Sequence, residues 1–128
     1  MNEEAYRKGV EALLRDEGFD VERWEYYDED GYIYGYPSKV NLDVVVRDGK
    51  VLVLDITAHF RRSDLQPLRR RVELFERATG RKVDRVIVVS PFVDDEVRRI
   101  LVEMGYEVAS GSPRVMKEKR GSKVLNRS

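Results

Sequence analysis

The strongest constraint on this chain lies between Val40 and Thr57, where two β-branched apolar runs, Val40 to Val46 and Val51 to Thr57, flank the turn Arg47-Asp48-Gly49-Lys50. An Asp-Gly pair between such runs is a strong short-range hairpin signal, because both residues accept the positive φ that tight turns need. Two registers satisfy it. A two-residue loop, Asp48-Gly49 in a type I′ turn, sets Arg47 opposite Lys50 and Asp43 opposite Leu54, sending Asp43 and Asp55 to opposite faces. A three-residue loop, Arg47-Asp48-Gly49 with Gly49 left-handed in a bulge, sets Asp43 opposite Val53 and puts Asp43, Asp55 and Thr57 on one face. In the second register the aspartates are diagonal neighbours roughly 7–8 Å apart at the backbone, close enough to converge on one cation.

Around the hairpin, periodicity marks the other elements. Ala5, Val10, Leu13 and Leu14 repeat at helical spacing between Glu3 and Glu17, and Gly18 follows at the C-cap position. Alternation from Phe19 to Tyr26 predicts a strand with neither face cleanly apolar. Ser63 with Gln66 three residues on has capping-box spacing, and Leu65, Leu68, Val72, Phe75 and Ala78 form one helical face that stops at Gly80. Asp84 to Ser90 reads as a strand buried on both faces, as parallel strands are. Asp94-Asp95-Glu96 open a further helix before Gly105, and Tyr106 to Ala109 form a last short strand. The order helix, strand, hairpin, helix, strand, helix, strand predicts an α/β fold, a central mixed β-sheet flanked by helices.

A chain of 128 residues suits one domain. We assign residues 1–110 to the core and 111–128 to a basic, mobile C-terminal tail, rich in glycine, serine and lysine. The 41% hydrophobic content exceeds that of a disordered chain, and runs such as Val86-Ile87-Val88-Val89 stop far short of a bilayer span. The acidic start Met1-Asn2-Glu3-Glu4 lacks signal-peptide character, so a soluble, cytoplasmic protein without membrane association is expected. Absence of cysteine excludes disulfides, thiol catalysis and Cys-ligated metal, and a lone His59 excludes His-rich metal or triad chemistry. Any metal must sit on oxygen. His59 reads as a strand-end polar residue. The 38% charged content with a single Gln is the bias of thermophile proteins.

Charge is uneven along the chain. Residues 1–30 carry 4 basic and 11 acidic side chains, whereas 61–90 carry 9 basic and 4 acidic. Arg61, Arg62, Arg69 and Arg70 with Arg71 form one basic block and the C-terminal tail a second; either suits phosphate neutralisation or merely a solvated, ion-paired face. Between Tyr26 and Pro37 lies a glycine-punctuated connection dense in tyrosine, suited to covering a sheet edge, stacking on bases, or forming an interface.

An Asp in the first hairpin strand and an acidic-x-polar triplet in the second, within this order of elements, resemble the PD-(D/E)XK nuclease superfamily and its restriction-endonuclease-like core. Gly31-Tyr32-Ile33-Tyr34-Gly35-Tyr36-Pro37-Ser38, Asp43-Val44-Val45-Val46, Gly49-Lys50 and the stretch from Ala78 to Val93 resemble more narrowly a largely archaeal branch of it. The resemblance implies a metal-dependent nuclease that hydrolyses phosphodiesters in DNA, with Mg²⁺ or Mn²⁺ held by Asp43, Asp55 and a first-helix carboxylate, Glu11 or Glu4. It implies catalytic roles for Asp43, Asp55 and Thr57, and a cation reaching the site from the neighbouring helix, Arg61, Arg62, Arg69 or Arg70, suits phosphate contact rather than base catalysis. Thr57 stands where the motif has lysine; a hydroxyl can position water but carries no positive charge. Asn41 stands where the branch often has an acidic residue. The departures keep open a domain that binds nucleic acid, or assembles as a homodimer or with another protein, without cleaving.

Overall fold

The computed structural model describes residues 2–111, so the basic tail lies almost wholly outside the described residues. Helix α1 (Glu3–Asp16) leads into strand β1 (Val21–Asp28), followed by β2 (Ser38–Arg47), β3 (Lys50–Ile56), α2 (Leu65–Thr79), β4 (Arg85–Val89), α3 (Asp95–Glu103) and β5 (Glu107–Ala109). The sheet runs β1-β2-β3-β4-β5, antiparallel through β3 and parallel from β3 to β5. Helix α2 makes the first parallel crossover and α3 the second, as parallel neighbours require. The expected mixed sheet flanked by helices is therefore the observed fold.

The two sheet faces carry separate cores. Tyr6, Val10, Leu13 and Leu14 of α1 pack on Val21, Val45, Leu52, Leu54, Ile56 and Ile87. Leu68, Val72 and Phe75 of α2, with Val97 and Leu101 of α3, cover Leu42, Val44, Val53, Val86 and Val88. Alternation along each strand thus supplies both layers, which is why β2 to β4 read as continuous apolar runs.

The hairpin takes the two-residue loop. Asp48 (φ 52°) and Gly49 (φ 76°) are both left-handed, and Arg47 pairs with Lys50 and Asp43 with Leu54. A type I′ turn matches the strand twist without a bulge, so the register that would put Asp43 and Asp55 on one face does not form. Pairing of β2 with β3 ends at the Asp43–Leu54 rung. Beyond it Leu42 to Ser38 stay with β1, while Asp55 and Ile56 stay with β4. The strands part there and open a cleft at the sheet end.

The start of α2 also differs from expectation. Residues Arg62–Asp64 form a 3₁₀ turn, so Ser63 lies inside it and does not cap α2; the Asp64 carboxylate reaches back to accept the backbone N–H of Arg61 at 2.8 Å. Pro67 then sits in the first turn of α2, where a missing N–H leaves no helical bond unmade.

Candidate functional site

Asp43 occupies the last paired rung of the hairpin, on the α1 face and fully buried. Arg23, directly opposite on β1, donates from Nη1 to Asp43 Oδ2 at 3.1 Å. Glu11, one helical layer below on α1, faces the same spot and takes both its oxygens to Arg7 Nη1 at 3.1 Å, the i,i+4 position. Glu4, the other first-helix candidate, is exposed and pairs with Lys8. The fold therefore brings Glu11 and Asp43 together and leaves Glu4 outside.

Asp43 Oδ1 is buried with no donor directed at it among the described residues. Its neighbour is a second carboxyl, Glu11, and two carboxyls can bond to each other only when one of them is protonated. Burial, and then the hydrogen bond with Glu11, push the Asp43 carboxyl up to about 7 against the pull of Arg23 and Arg7. Burial works the same way on Glu11, but the hydrogen bond with Asp43 and the charge of Arg7 outweigh it and hold Glu11 below its ordinary range.

Asp55 lies on the opposite face. Its Oδ2 accepts from Arg71 Nη2 at 2.8 Å, and Arg71 Nη1 donates to the Asn41 carbonyl at 3.0 Å across the parted strands. Burial disfavours the Arg71 charge, and Asp55 more than restores it, leaving the guanidinium above its ordinary pKa. Thr57, two residues on, donates from Oγ1 to the His59 carbonyl at 3.3 Å. The cleft, about 290 Å³, opens between these groups and is walled by Arg7, Arg23, Asn41, Asp55, Thr57 and Arg71, with Glu3, Tyr34 and Asp64 also on its rim.

This donor set does not fit the two-aspartate metal site that the motif implies. Asp43 and Asp55 point to opposite faces, each holds an arginine at hydrogen-bond distance, and no cluster of three or more acidic or histidine side chains among the described residues is placed to hold an ion. Glu11 and Asp43, which do meet, are closed from the solvent and already flanked by two guanidinium groups.

Of the arginines expected on phosphate, Arg61 and Arg69 are exposed and Arg62 pairs with Glu96 of α3. Arg70 turns away from Arg69 along the helix, donating to the Tyr32 carbonyl at 3.2 Å and lying 5.5 Å from that ring. The four do not form one patch. The sequence alone does not mark Arg7 and Arg23 as site residues, and it places Arg71 only in a basic block rather than on a buried carboxylate. Arg71 carried a usable signal: it stands between Leu68 and Phe75 on the apolar stripe of its helix, and a cation there demands a buried anion.

The segment before β2 is tightly built. Asp28, buried, accepts from the N–H groups of Tyr32 (3.1 Å) and Ile33 (2.8 Å), and Gly35 N–H donates to the Gly31 carbonyl at 2.9 Å. Ile33 packs with Val40 and Leu74, while the Tyr32 hydroxyl donates to Glu73. Tyr34 and Tyr36 stay about half exposed and stack on each other, centroids 5.8 Å apart and planes at 21°.

The family model of the PD-(D/E)XK nuclease superfamily matches residues 38–112, more than half of the chain, and the chain belongs to that superfamily. A second family, described only as a protein of unknown function, matches residues 1–37. No curated protein matches. Among solved structures, a repair endonuclease from Pyrococcus abyssi superposes with a TM-score of 0.54 at 20% identity, covering 88% of this chain and 48% of that one. The two share a fold, and this chain spans about half the length of that relative. No helix among the described residues is long and apolar enough to cross a membrane.

Proposed function

We propose that this domain is a nuclease-derived module that binds nucleic acid at the cleft without hydrolysing it and without needing a divalent ion. The observation that carries the reading is the substitution of guanidinium for metal: Arg23 on Asp43, Arg71 on Asp55 and Arg7 on Glu11, with Thr57 in place of the motif lysine. Superfamily enzymes generally use divalent metals held by such carboxylates. Here each of the three carboxylates has an arginine within hydrogen-bond distance, and arginine is a poor proton acceptor that suits phosphate contact rather than base catalysis. Arg61, just before α2, and Arg69, in its N-terminal half, are exposed and supply further phosphate contacts, and Arg62 joins them when its pair with Glu96 opens.

The test is Mg²⁺ and Mn²⁺ titration against fluorescent single-stranded, duplex and branched DNA, recording binding and cleavage together. Salt-sensitive binding that persists in EDTA, with no cleavage, is the expected result. Metal-dependent cleavage that disappears in Asp55→Ala overturns it in favour of hydrolysis with Asp43, Asp55 and Glu11 on the ion, a reading that draws on the unpartnered Asp43 Oδ1. Absence of both binding and cleavage moves the domain to an assembly role.

A further inference from the structure

The tyrosine loop is too costly to be a mere connection. It uses a buried carboxylate, Asp28, to hold two backbone N–H groups, and an anchor, Ile33, sunk among Val40 and Leu74. It also needs glycine at position 31, where φ is +70° and a Cβ would stand 2.8 Å from the Tyr36 nitrogen. All this rigidity holds two large aromatic rings out of the core. Two stacked aromatic rings with polar tips, held out of the core on an anchored loop, suit a binding surface.

Three features say what binds. Tyr34 and Tyr36 already form a near-parallel stack and both remain about half exposed, which leaves aromatic surface for a further flat ring. Tyr34 stands on the rim of the cleft that holds Arg7, Arg23 and Arg71. Behind the loop, Arg70 and Arg77 lie over the Tyr32 ring, at 5.5 and 4.5 Å. Flat rings beside guanidinium groups suit a strand whose bases stack while its phosphates meet cations. Bases inside a duplex are already stacked and present only their edges.

On the reading that the cleft binds nucleic acid, we infer that Tyr34 and Tyr36 form a stacking platform for unpaired bases, which makes single-stranded nucleic acid, or the frayed end of a duplex, the preferred ligand. Base–aromatic stacking sets the expected preference at about ten- to a hundredfold.

The experiment is fluorescence anisotropy on the full chain with a labelled single strand, the same sequence as duplex, and an abasic strand with the same phosphates. Wild type and Tyr34→Phe/Tyr36→Phe, which keeps the stack, should prefer the normal single strand about tenfold or more. Tyr34→Ala/Tyr36→Ala should lose that preference and keep its weaker duplex and abasic binding. Both side chains lie outside the core, and far-ultraviolet circular dichroism checks that this variant folds. Equal wild-type affinity for the three probes, or an alanine variant weakened equally on all, overturns the stacking platform while leaving nucleic-acid binding in place. No binding to any probe overturns both.

Discussion

Exchanging Arg71 for methionine tests whether the guanidinium is the resident cation of Asp55. Methionine keeps most of the apolar stem, so the change removes the 2.8 Å ion pair and the bond to the Asn41 carbonyl while sparing the packing against α2's core face. Both partners are only 13% exposed at the side chain. Removing one member of a buried pair costs ~3–5 kcal/mol because the other charge is stranded. Asp55 borders the cleft and can regain water there, which places the expected loss at about 2–3 kcal/mol. Asp55→Asn strands the arginine instead and should cost about 2 kcal/mol. In the double variant neither charge is left alone, so its loss should fall short of additivity by about 2 kcal/mol. Urea unfolding of the four proteins, with unchanged m-values, measures this directly. Additivity within about 0.5 kcal/mol refutes the arrangement. So does a wild-type midpoint that rises with millimolar Mg²⁺, because an ion would then compete for the site that Arg71 occupies.

Asp43 holds its proton to about pH 7 when folded and releases it near pH 4 when unfolded, so between those values the folded state binds the extra proton and stability falls as pH rises. Urea unfolding should give about 2–4 kcal/mol more stability at pH 5 than at pH 8 from this group. Asp43→Asn should abolish the difference, and an unchanged slope in that variant would show that another group titrates. Gly31→Ala forces a left-handed residue with a Cβ against the Tyr36 backbone; a loss of about 2–3 kcal/mol in thermal or urea unfolding is expected, and a loss below about 0.5 kcal/mol would mean the loop is loosely held. Asp28→Ala leaves the N–H groups of Tyr32 and Ile33 without their acceptor and should cost about 2 kcal/mol, with faster amide exchange confined to 31–36; exchange unchanged there would refute the clamp.

The elements themselves were legible in local pattern. Leu68, Val72 and Phe75 announce α2, Val86 to Val89 announce a strand buried on both faces, and Asp48-Gly49 announces the hairpin. The superfamily was legible as a resemblance carried by longer stretches, such as Gly31 to Ser38 and Ala78 to Val93, rather than by the spacing of Asp43 and Asp55. The start of α2 was not legible, since a 3₁₀ turn and a helix N-terminus draw on the same cap residues.

Sequence by itself determined which residues alternate on each strand and which stripe of each helix is apolar, because those periods are set by backbone geometry. Tertiary structure decided what the charged residues do. Register sent Asp43 toward α1 and Asp55 toward α2, and Glu11 rather than Glu4 met Asp43 because only Glu11 faces inward. Arg23 and Arg71 found these aspartates from 20 and 16 residues away in the chain, across a strand pair and a helix–sheet contact. The interaction of two charges depends on their separation and on the water between them, and neither quantity exists until the chain has folded.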